Sequence, residues 1–106
     1  MISIKVAVNE RKAICGVTVS GHANLAPKGQ DIVCAGVSSL VQTAALGVKR
    51  HLRRKISLEV SEGYLHLELK DVPDELTEAV LQTMVIGLKE IAKIYPDSVQ
   101  IVEHRR

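Results

Sequence analysis

The sequence predicts an α+β fold: a two-layer sandwich with the element order ββαββαβ, in which a mainly antiparallel sheet carries two helices on one face. Several short segments alternate apolar and polar residues, which is the period of strands that bury one side. Two longer segments space their apolar residues three and four apart, as amphipathic helices do. Because such strands need a cover on one side only, both helices are expected on the same face. The 106 residues are expected to form a single domain, residues 1–106.

The first half of the chain predicts a hairpin followed by a helix. Ile2–Val8 alternates throughout, and a second alternating run ends near Gly21 and His22. Residues 23–30 contain asparagine, proline and glycine, which favour a loop. Helical spacing starts immediately afterwards. Asp31 is the predicted N-cap, because a carboxylate there accepts hydrogen bonds from first-turn amides.

The second half of the chain predicts another hairpin and another helix. Ile56–Val60 and Leu65–Leu69 alternate on either side of a predicted turn at Ser61–Gly63. Pro73 is predicted at the first position of the second helix, where its missing N–H costs nothing. Pro96 is predicted to end that helix.

The second helix has a wider apolar stripe than a single sheet contact needs. Its main stripe comprises Leu76, Val80, Met84, Leu88 and Ile91. Leu81, Val85 and Ile86 widen the stripe, and this excess indicates a homodimer surface on the second helix. Beyond the helix, Val99–Glu103 alternates again and predicts the last strand.

The composition excludes several classes of protein. Apolar residues make up 46% of the chain and charged residues 25%, which is typical of globular rather than disordered chains. A formal charge of +2 is too small to indicate a nucleic-acid partner by itself. With no Trp, no Phe and two Tyr, the chain also has few aromatic side chains on which nucleic-acid bases could stack. No apolar run is expected to reach the length of a membrane span, and no secretory signal is expected before the first strand. The protein is therefore expected in the cytoplasm.

Neither a metal nor a cofactor is expected. The four histidines are scattered and no Cys-x-x-Cys pair occurs. Two cysteines are too few for a disulfide framework in a reducing compartment. Cys15 lies on the second alternating strand and is predicted to be a core residue.

Cys34 is predicted to lie in the first turn of the first helix. Unpaired amides and the helix dipole at that place stabilise an anion, so they favour a thiolate. The backbone amides of Cys34 and Ala35 are candidate donors to an oxyanion. Cys34 also falls on the apolar stripe, three residues before Val37, and the alternative is a small core residue.

His22 ends the strand that enters the loop, and the loop returns the chain to the helix start, so His22 and Cys34 can meet. An imidazole beside such a thiol forms the Cys–His pair of nucleophilic catalysis. The alternative is a strand-end histidine bonded to the backbone. Asp31 either caps the helix only or also orients His22, and the spacing favours capping. Ser38, one turn after Cys34, is either a supporting hydroxyl or a packing residue.

The basic run Lys49–Lys55 lies at the predicted C-terminal end of the first helix, where positive charge complements the dipole. The alternative is an RNA-binding face of a non-catalytic, ribosome-associated module. A purely structural dimer is a third possibility, but it leaves His22 and Cys34 unexplained.

Three short motifs surround the candidate histidine and cysteine. They are Gly21-His22-Ala23, Gly29 with Asp31-Ile32-Val33-Cys34-Ala35, and Val37-Ser38-Ser39. Together they resemble the signature of the ribosomal-processing cysteine protease family, known as Prp. The resemblance covers the whole chain, including its length and predicted element order. Gly36 departs from the family, in which alanine is commoner at that position.

The resemblance implies that His22 and Cys34 are a catalytic dyad, with Asp31 and Ser38 as supporting residues. It implies a substrate, the large-subunit ribosomal protein numbered twenty-seven, which in some bacteria carries a short N-terminal extension that is removed after paired phenylalanines. It also implies a homodimer. No membrane is expected as a partner, and no direct contact with nucleic acid is required.

For such a protease, the loop after the second strand is predicted to be a gate that orders over an extended peptide. Gly21 and Ala23 are small enough to let a substrate backbone approach. Asn24 belongs to the loop, in which Pro27 would limit the movement and Gly29 would permit it.

Overall fold

The computed structural model describes residues 1–22 and 31–106, and its elements follow the predicted order. The strands and helices are β1 Ile2–Val8, β2 Ile14–Ser20, α1 Ile32–Leu46, β3 Ile56–Ser61, β4 Tyr64–Leu69, α2 Glu75–Ile94 and β5 Val99–Arg105. A π-helical segment, Gly47–His51, continues α1. The order ββαββαβ is therefore confirmed.

The five strands form one sheet with the spatial order β3-β4-β2-β1-β5. The pairs β1 with β2, β2 with β4, and β3 with β4 are antiparallel, whereas β1 and β5 are parallel. The parallel pair follows from the chain path, because α2 crosses over the sheet before β5 joins its edge. The predicted fold, an α+β sandwich with a mainly antiparallel sheet, is confirmed.

Both helices contribute to a single apolar core on one side of the sheet. Ile2, Ile4 and Val6 of β1 point into it, as the alternation predicts. Val41 of α1 and Leu88 of α2 are fully buried in the same core. At roughly 25 cal/mol per Å² of apolar surface, burying these branched side chains is the main stabilising contribution to the sandwich.

The wide apolar stripe of α2 is used largely within the monomer. Leu81 and Val85 are buried in the core, and α2 also packs closely on α1. At the crossing, a Cβ built on Gly87 would lie 3.0 Å from Leu40 Cδ1, so glycine lets the helices approach. Ile86 remains 63% exposed. The width of the stripe therefore has an explanation inside the chain, which weakens it as an indication of a dimer.

The expectation that Cys15 is a core residue is wrong. The register between β1 and β2 shifts between Ala7 and Val8, so that Ile14 pairs with Val8 and takes the inward position. Cys15 is left half-buried beside this bulge. A bulge adds one residue to one strand and reverses which side chains face the core, which the alternation alone does not reveal.

The helix starts agree with the prediction in one case and differ in the other. Asp31 caps α1 as predicted: its Oδ1 accepts from the amides of Val33 and Cys34 at 2.9 and 3.0 Å. Pro73 is not the first residue of α2, because Asp74 is the N-cap and the helix begins at Glu75. The Asp74 cap defines the helix start, and Pro73 precedes it.

One helical segment, Ile32–His51, is long and apolar enough to cross a membrane by length and composition alone. The expectation that no apolar run reaches such a length is therefore wrong. The core helix of a globular domain passes the same test. Because Val37, Val41 and Ala45 of this segment are buried against the sheet, we assign α1 as the core helix of the sandwich.

Candidate active site

A cleft of about 140 Å³ opens where the end of β2, the start of α1 and the turn between β3 and β4 come together. The polar or small residues on its wall are His22, Cys34, Ser38, Ser61, Gly63 and Tyr64. The rest of the wall is apolar and includes Val19, Val37, Val60 and Leu65. The structure thus brings His22 and Cys34, which are twelve positions apart in the chain, to one cleft.

Cys34 is held in the first turn of α1 by the residue that caps this helix. While Asp31 Oδ1 accepts from two backbone amides, Asp31 Oδ2 lies 3.3 Å from Cys34 Sγ and accepts from the thiol. Cys34 is half-buried, with one side against the core and another on the cleft. The two predictions for Cys34, a thiol at a helix start and a small core residue, are therefore compatible, because Cys34 packs on the core and also presents its sulfur at the start of α1.

His22 follows β2 directly and is exposed at the cleft. The preceding Gly21 has a φ of +92°, and a Cβ there would collide with the carbonyl oxygen of Met1. The Gly21 amide donates to the carbonyl of Gly63 at 2.9 Å. The small size of Gly21 is thus needed for packing against the N-terminal residue, whether or not it also admits a substrate.

The two amides that were candidates for an oxyanion hole are engaged in other hydrogen bonds. The Cys34 amide donates to Asp31 Oδ1 at 3.0 Å, and the Ala35 amide donates to the Asp31 carbonyl at 3.1 Å. That these amides donate to an oxyanion therefore stays a prediction, and in this state of the site both have other acceptors. The capping side chain occupies the Cys34 amide, and the first backbone hydrogen bond of the helix occupies the Ala35 amide.

Ser38 lies on the wall of the cleft, one turn after Cys34. Its Oγ accepts a hydrogen bond of 2.7 Å from Gln42 Nε2, one turn further along α1. Ala23, Asn24, Pro27 and Gly29 lie outside the described residues. The predicted gating loop therefore stays a prediction.

The turn between β3 and β4 supplies a wall of the cleft that sequence reasoning missed. Ser61 and Tyr64 pair across this turn, and Gly63 occupies it with a φ of +69°. The Ser61–Gly63 turn was predicted as local structure. Its place at the site depends on β4 pairing with β2, because Tyr64 aligns with Ser20 next to His22.

The strongest ionic cluster lies away from the cleft, on β4 and the C-terminus. Glu68 binds Lys70, His66 and Arg106, and these hydrogen bonds lower the pKa of its carboxyl to about 2. Since Leu67 and Leu69 point into the core, alternation places Glu68 on the open face of the sheet. This cluster belongs to the surface of the sheet and not to the cleft.

The basic segment at the end of α1 is exposed apart from Leu52 and Arg54. Arg54 Nε donates to Asp74 Oδ2 at 2.9 Å and so joins the end of α1 to the start of α2. This gives the segment a structural role beside its favourable interaction with the helix dipole. Within residues 1–22 and 31–106, no three side chains of His, Cys, Asp or Glu are grouped to hold a metal ion.

A cysteine at a helix start and a histidine on the same cleft are the residue types that thiol-dependent hydrolases use. The family model described as cysteine protease Prp matches residues 1–100. The chain therefore belongs to the Prp family of cysteine proteases. This decides against the non-catalytic alternatives, because the chain is an enzyme of the peptidase class.

Relatives with assigned names agree with this assignment. The ribosomal processing cysteine protease Prp of Staphylococcus aureus is 29% identical over 104 residues, which cover 95% of this chain and 97% of that protein. The protein of the same name from Mycoplasma pneumoniae is 34% identical over 107 residues, covering 97% of each chain. The protein from Bacillus subtilis is 29% identical over 107 residues and covers 95% of this chain and 96% of its own.

Solved structures show the same fold. A crystal structure of the essential ribosomal processing protease Prp from S. aureus, in complex with a covalently linked product peptide, superimposes with a TM-score of 0.91. It is 24% identical and covers 98% of this chain and all of that one. A second S. aureus structure, in complex with a substrate peptide, gives a TM-score of 0.86 at 24% identity with the same coverage.

Proposed function

We propose that this protease removes the short N-terminal extension of the large-subunit ribosomal protein numbered twenty-seven, with Cys34 as nucleophile and His22 as general base and acid. The observation that carries the proposal is the cleft that His22 and Cys34 share at the start of α1. The relatives named as ribosomal processing proteases support the choice of substrate.

The proposed reaction follows the order of acyl transfer. His22 accepts the proton of the Cys34 thiol, and the thiolate attacks the carbonyl carbon of the scissile peptide bond. The C–N bond then breaks, and His22 gives its proton to the departing amine. The N-terminal extension remains on Cys34 as a thioester until water hydrolyses it. The S. aureus structure with a covalently linked product peptide supports a covalent step in this family.

Asp31 is proposed to support the site in two ways. By capping α1 it fixes the first turn, and by accepting the thiol proton it sets the direction of Cys34 Sγ. An oxyanion at the Cys34 or Ala35 amide requires that the Asp31 bonds loosen as the intermediate forms, because both amides are engaged in the resting site. Ser38 is the second proposed supporting residue, since it lies on the cleft wall one helical turn after Cys34.

The apolar part of the cleft supports an apolar side chain next to the scissile bond. Val19, Val60 and Leu65 lie on one side of the cleft and Val37 on the other. Paired phenylalanines before the cleavage point are compatible with such a wall, because aromatic side chains bind chiefly through buried apolar surface.

The proposal is tested with a synthetic peptide that spans the junction between the extension and the mature ribosomal protein. Mass spectrometry of the products should show one cut, after the paired phenylalanines, with the wild-type protein. Cys34→Ala and His22→Ala should each abolish cleavage while leaving the circular dichroism spectrum and Tm close to wild type.

The matched control is Cys15→Ala, which removes the other free thiol. Burial raises the pKa of the Cys15 thiol, which makes it a poor nucleophile at neutral pH. This variant should cleave at the wild-type rate. Wild-type cleavage by Cys34→Ala or by His22→Ala would contradict the proposed dyad, and an intact junction peptide with the wild-type protein would contradict the proposed substrate.

The same proposal places the enzyme in the cytoplasm, where ribosomal proteins are made, and expects it to act as a homodimer through the second helix. Leu76, Ile86 and Ile94 of α2 are exposed and apolar, and they support that surface. Sedimentation equilibrium of the wild-type protein measures the mass of the assembly directly.

A further inference from the structure

We propose that the turn between β3 and β4 holds the imidazole of His22 in place, with Gly63 as the positioning residue. This inference rests on the proposed function, because it concerns how His22 reaches the working orientation. Gly63 has no side chain and supplies no reacting group in the proposed reaction. It acts through the space that it leaves for the histidine ring.

The geometry at Gly63 shows how little space there is. A Cβ built on Gly63 would lie 2.8 Å from His22 Nε2, 3.4 Å from Cε1 and 3.5 Å from Cδ2. Ordinary carbon contacts are about 3.5–4.0 Å, so a single methyl group would force the ring to move. The three ring atoms nearest to Gly63 include one of the two nitrogens that can carry the proton.

The backbone around Gly63 anchors the same region from the other side. The Gly63 carbonyl accepts the amide hydrogen of Gly21, the residue before His22, at 2.9 Å. Tyr64, the residue after Gly63, pairs with Ser20 in the register of β2 and β4. The turn therefore fixes the backbone that carries His22 and also forms one surface against which the ring lies.

Gly63 is needed for the backbone of the turn as well as for the space that it leaves for the His22 ring, and the two effects must be separated. Its φ of +69° lies in the left-handed region, where most side chains are strained. Alanine at this position therefore disturbs both the turn and the ring, whereas asparagine tolerates the left-handed region better. Both residues introduce the same Cβ next to His22. Comparing Gly63→Ala with Gly63→Asn therefore separates the turn from the histidine.

The expected result is a loss of catalytic rate without a matching loss of binding. A displacement of the proton-transfer group by about 1 Å can cost up to about 100-fold in rate. Both variants should lower kcat for the junction peptide by roughly 10-fold to 100-fold and leave KM nearly unchanged. The Tm of Gly63→Asn should stay closer to wild type than that of Gly63→Ala. The proton resonances of the His22 ring, assigned with His22→Ala, should shift in both variants.

A glycine-to-alanine control is available on α1. Gly36→Ala adds a methyl group two residues after Cys34, at an ordinary 3.5 Å from Ile91 Cδ1. This variant should keep the wild-type kcat. It shows whether a methyl group added to the first turns of the helix that carries Cys34 is harmful in general.

A double-mutant cycle tests whether Gly63 acts through His22. The readout is the rate at which iodoacetamide labels Cys34, which can be measured even without peptide cleavage. Gly63→Asn should slow labelling in the wild-type background and have no further effect in the His22→Ala background. An equal effect in both backgrounds would overturn the inference, because the turn would then act on Cys34 without the histidine.

The outcomes distinguish this inference from the proposed function. If the wild-type protein cleaves the peptide and His22→Ala does not, but both Gly63 variants cleave at the wild-type rate, only the role of Gly63 is wrong. If His22→Ala cleaves normally, the proposed dyad fails and the positioning role fails with it.

Discussion

The two helices begin with the same capping device but use it differently. Asp31 accepts from the amides two and three residues ahead at 2.9 and 3.0 Å, and Asp74 does the same at the start of α2, also at 2.9 and 3.0 Å. At the third helical position α2 has Thr77, whose hydroxyl accepts the Asp74 amide hydrogen and completes a capping box. At the same position α1 has Cys34, whose thiol donates to Asp31 Oδ2.

The second carboxylate oxygen shows the difference most clearly. Asp74 Oδ2 accepts from Arg54, so its charge is balanced by a guanidinium that ties the two helices together. Asp31 Oδ2 accepts from a thiol that lies on an open cleft. One helix start is thus closed by hydrogen bonds and serves stability, whereas the other keeps a titratable sulfur at its end. Both helices have an aspartate N-cap, and the side chain at the third helical position, a cysteine or a threonine, makes the difference.

The most direct test of this difference is to make the two helix starts alike. Cys34→Thr should let the hydroxyl close a capping box on Asp31, as Thr77 does on Asp74. Cleavage of the junction peptide should fall by about 10⁴-fold or more, because the nucleophile is lost, while Tm should stay at or above the wild-type value. Rates come from chromatography of the products. A variant that keeps substantial activity would show that the sulfur does not carry the chemistry.

A smaller effect, on the reactivity of the Cys34 thiol, is expected from changing the aspartate caps. Asp31→Asn keeps an oxygen for the two amides and replaces Oδ2 by an NH₂ group, so the negative charge next to the sulfur disappears. A neighbouring negative charge disfavours a thiolate, and its removal should raise the thiolate fraction. Iodoacetamide should therefore label Cys34 roughly 10-fold faster at pH 7 in this variant.

The matched control for that experiment is Asp74→Asn, which makes the same change at the other helix start. Among the described residues that line the cleft with Cys34, the titratable groups are His22, which lies just after β2, and Tyr64 of β4, and neither variant alters them. Labelling of Cys34 should be unchanged in Asp74→Asn. Slower labelling in Asp31→Asn, or equal changes in both variants, would contradict the view that Asp31 holds the thiol proton.

The smallest expected effect concerns stability in acid. Hydrogen bonds from Thr77 and Arg54 lower the pKa of Asp74 from the ordinary value of 3.8. A carboxyl with a lower pKa in the folded state contributes stability that is complete above pH 3.8 and is lost as the pH falls through the folded value. Urea denaturation in this acidic range should therefore show a weaker pH dependence for Asp74→Asn than for wild type. Parallel curves for the two proteins would assign no such contribution to Asp74.

The parts of the fold that sequence predicts well are the local ones. Alternation in Ile2–Val8 and the loop residues before Asp31 predict the hairpin and the α1 cap, because both depend on neighbours in the chain. The bulge that moves Cys15 out of the core adds a single residue and leaves no clear mark in the alternation. Pro73 fits the first turn by its chemistry, but Asp74 is the cap, so the helix begins at Glu75, two positions later.

The candidate site also contains parts that depend on chain neighbours and parts that depend on distant strand pairing. His22 and Cys34 could be predicted because a short segment of chain connects them. Gly63 and Tyr64 reach the cleft through the pairing of β4 with β2, which joins segments that are more than forty residues apart. Periodicity specifies which face of a strand is buried, but not which strand lies beside it. The hydrogen bond from the Cys34 thiol to Asp31 Oδ2 was not predicted, since the spacing indicates the cap but not the direction of the thiol.

The central claim is that Cys34 forms the covalent bond to the substrate, and trapping that bond tests it most directly. The protein is mixed with the junction peptide, quenched in acid within the first turnover, and analysed by intact-mass and peptide-mapping mass spectrometry. The account predicts a thioester between the N-terminal extension and Cys34, absent in Cys34→Ala. Rapid cleavage with no adduct in the wild-type protein, or with the adduct on Cys15, would contradict it.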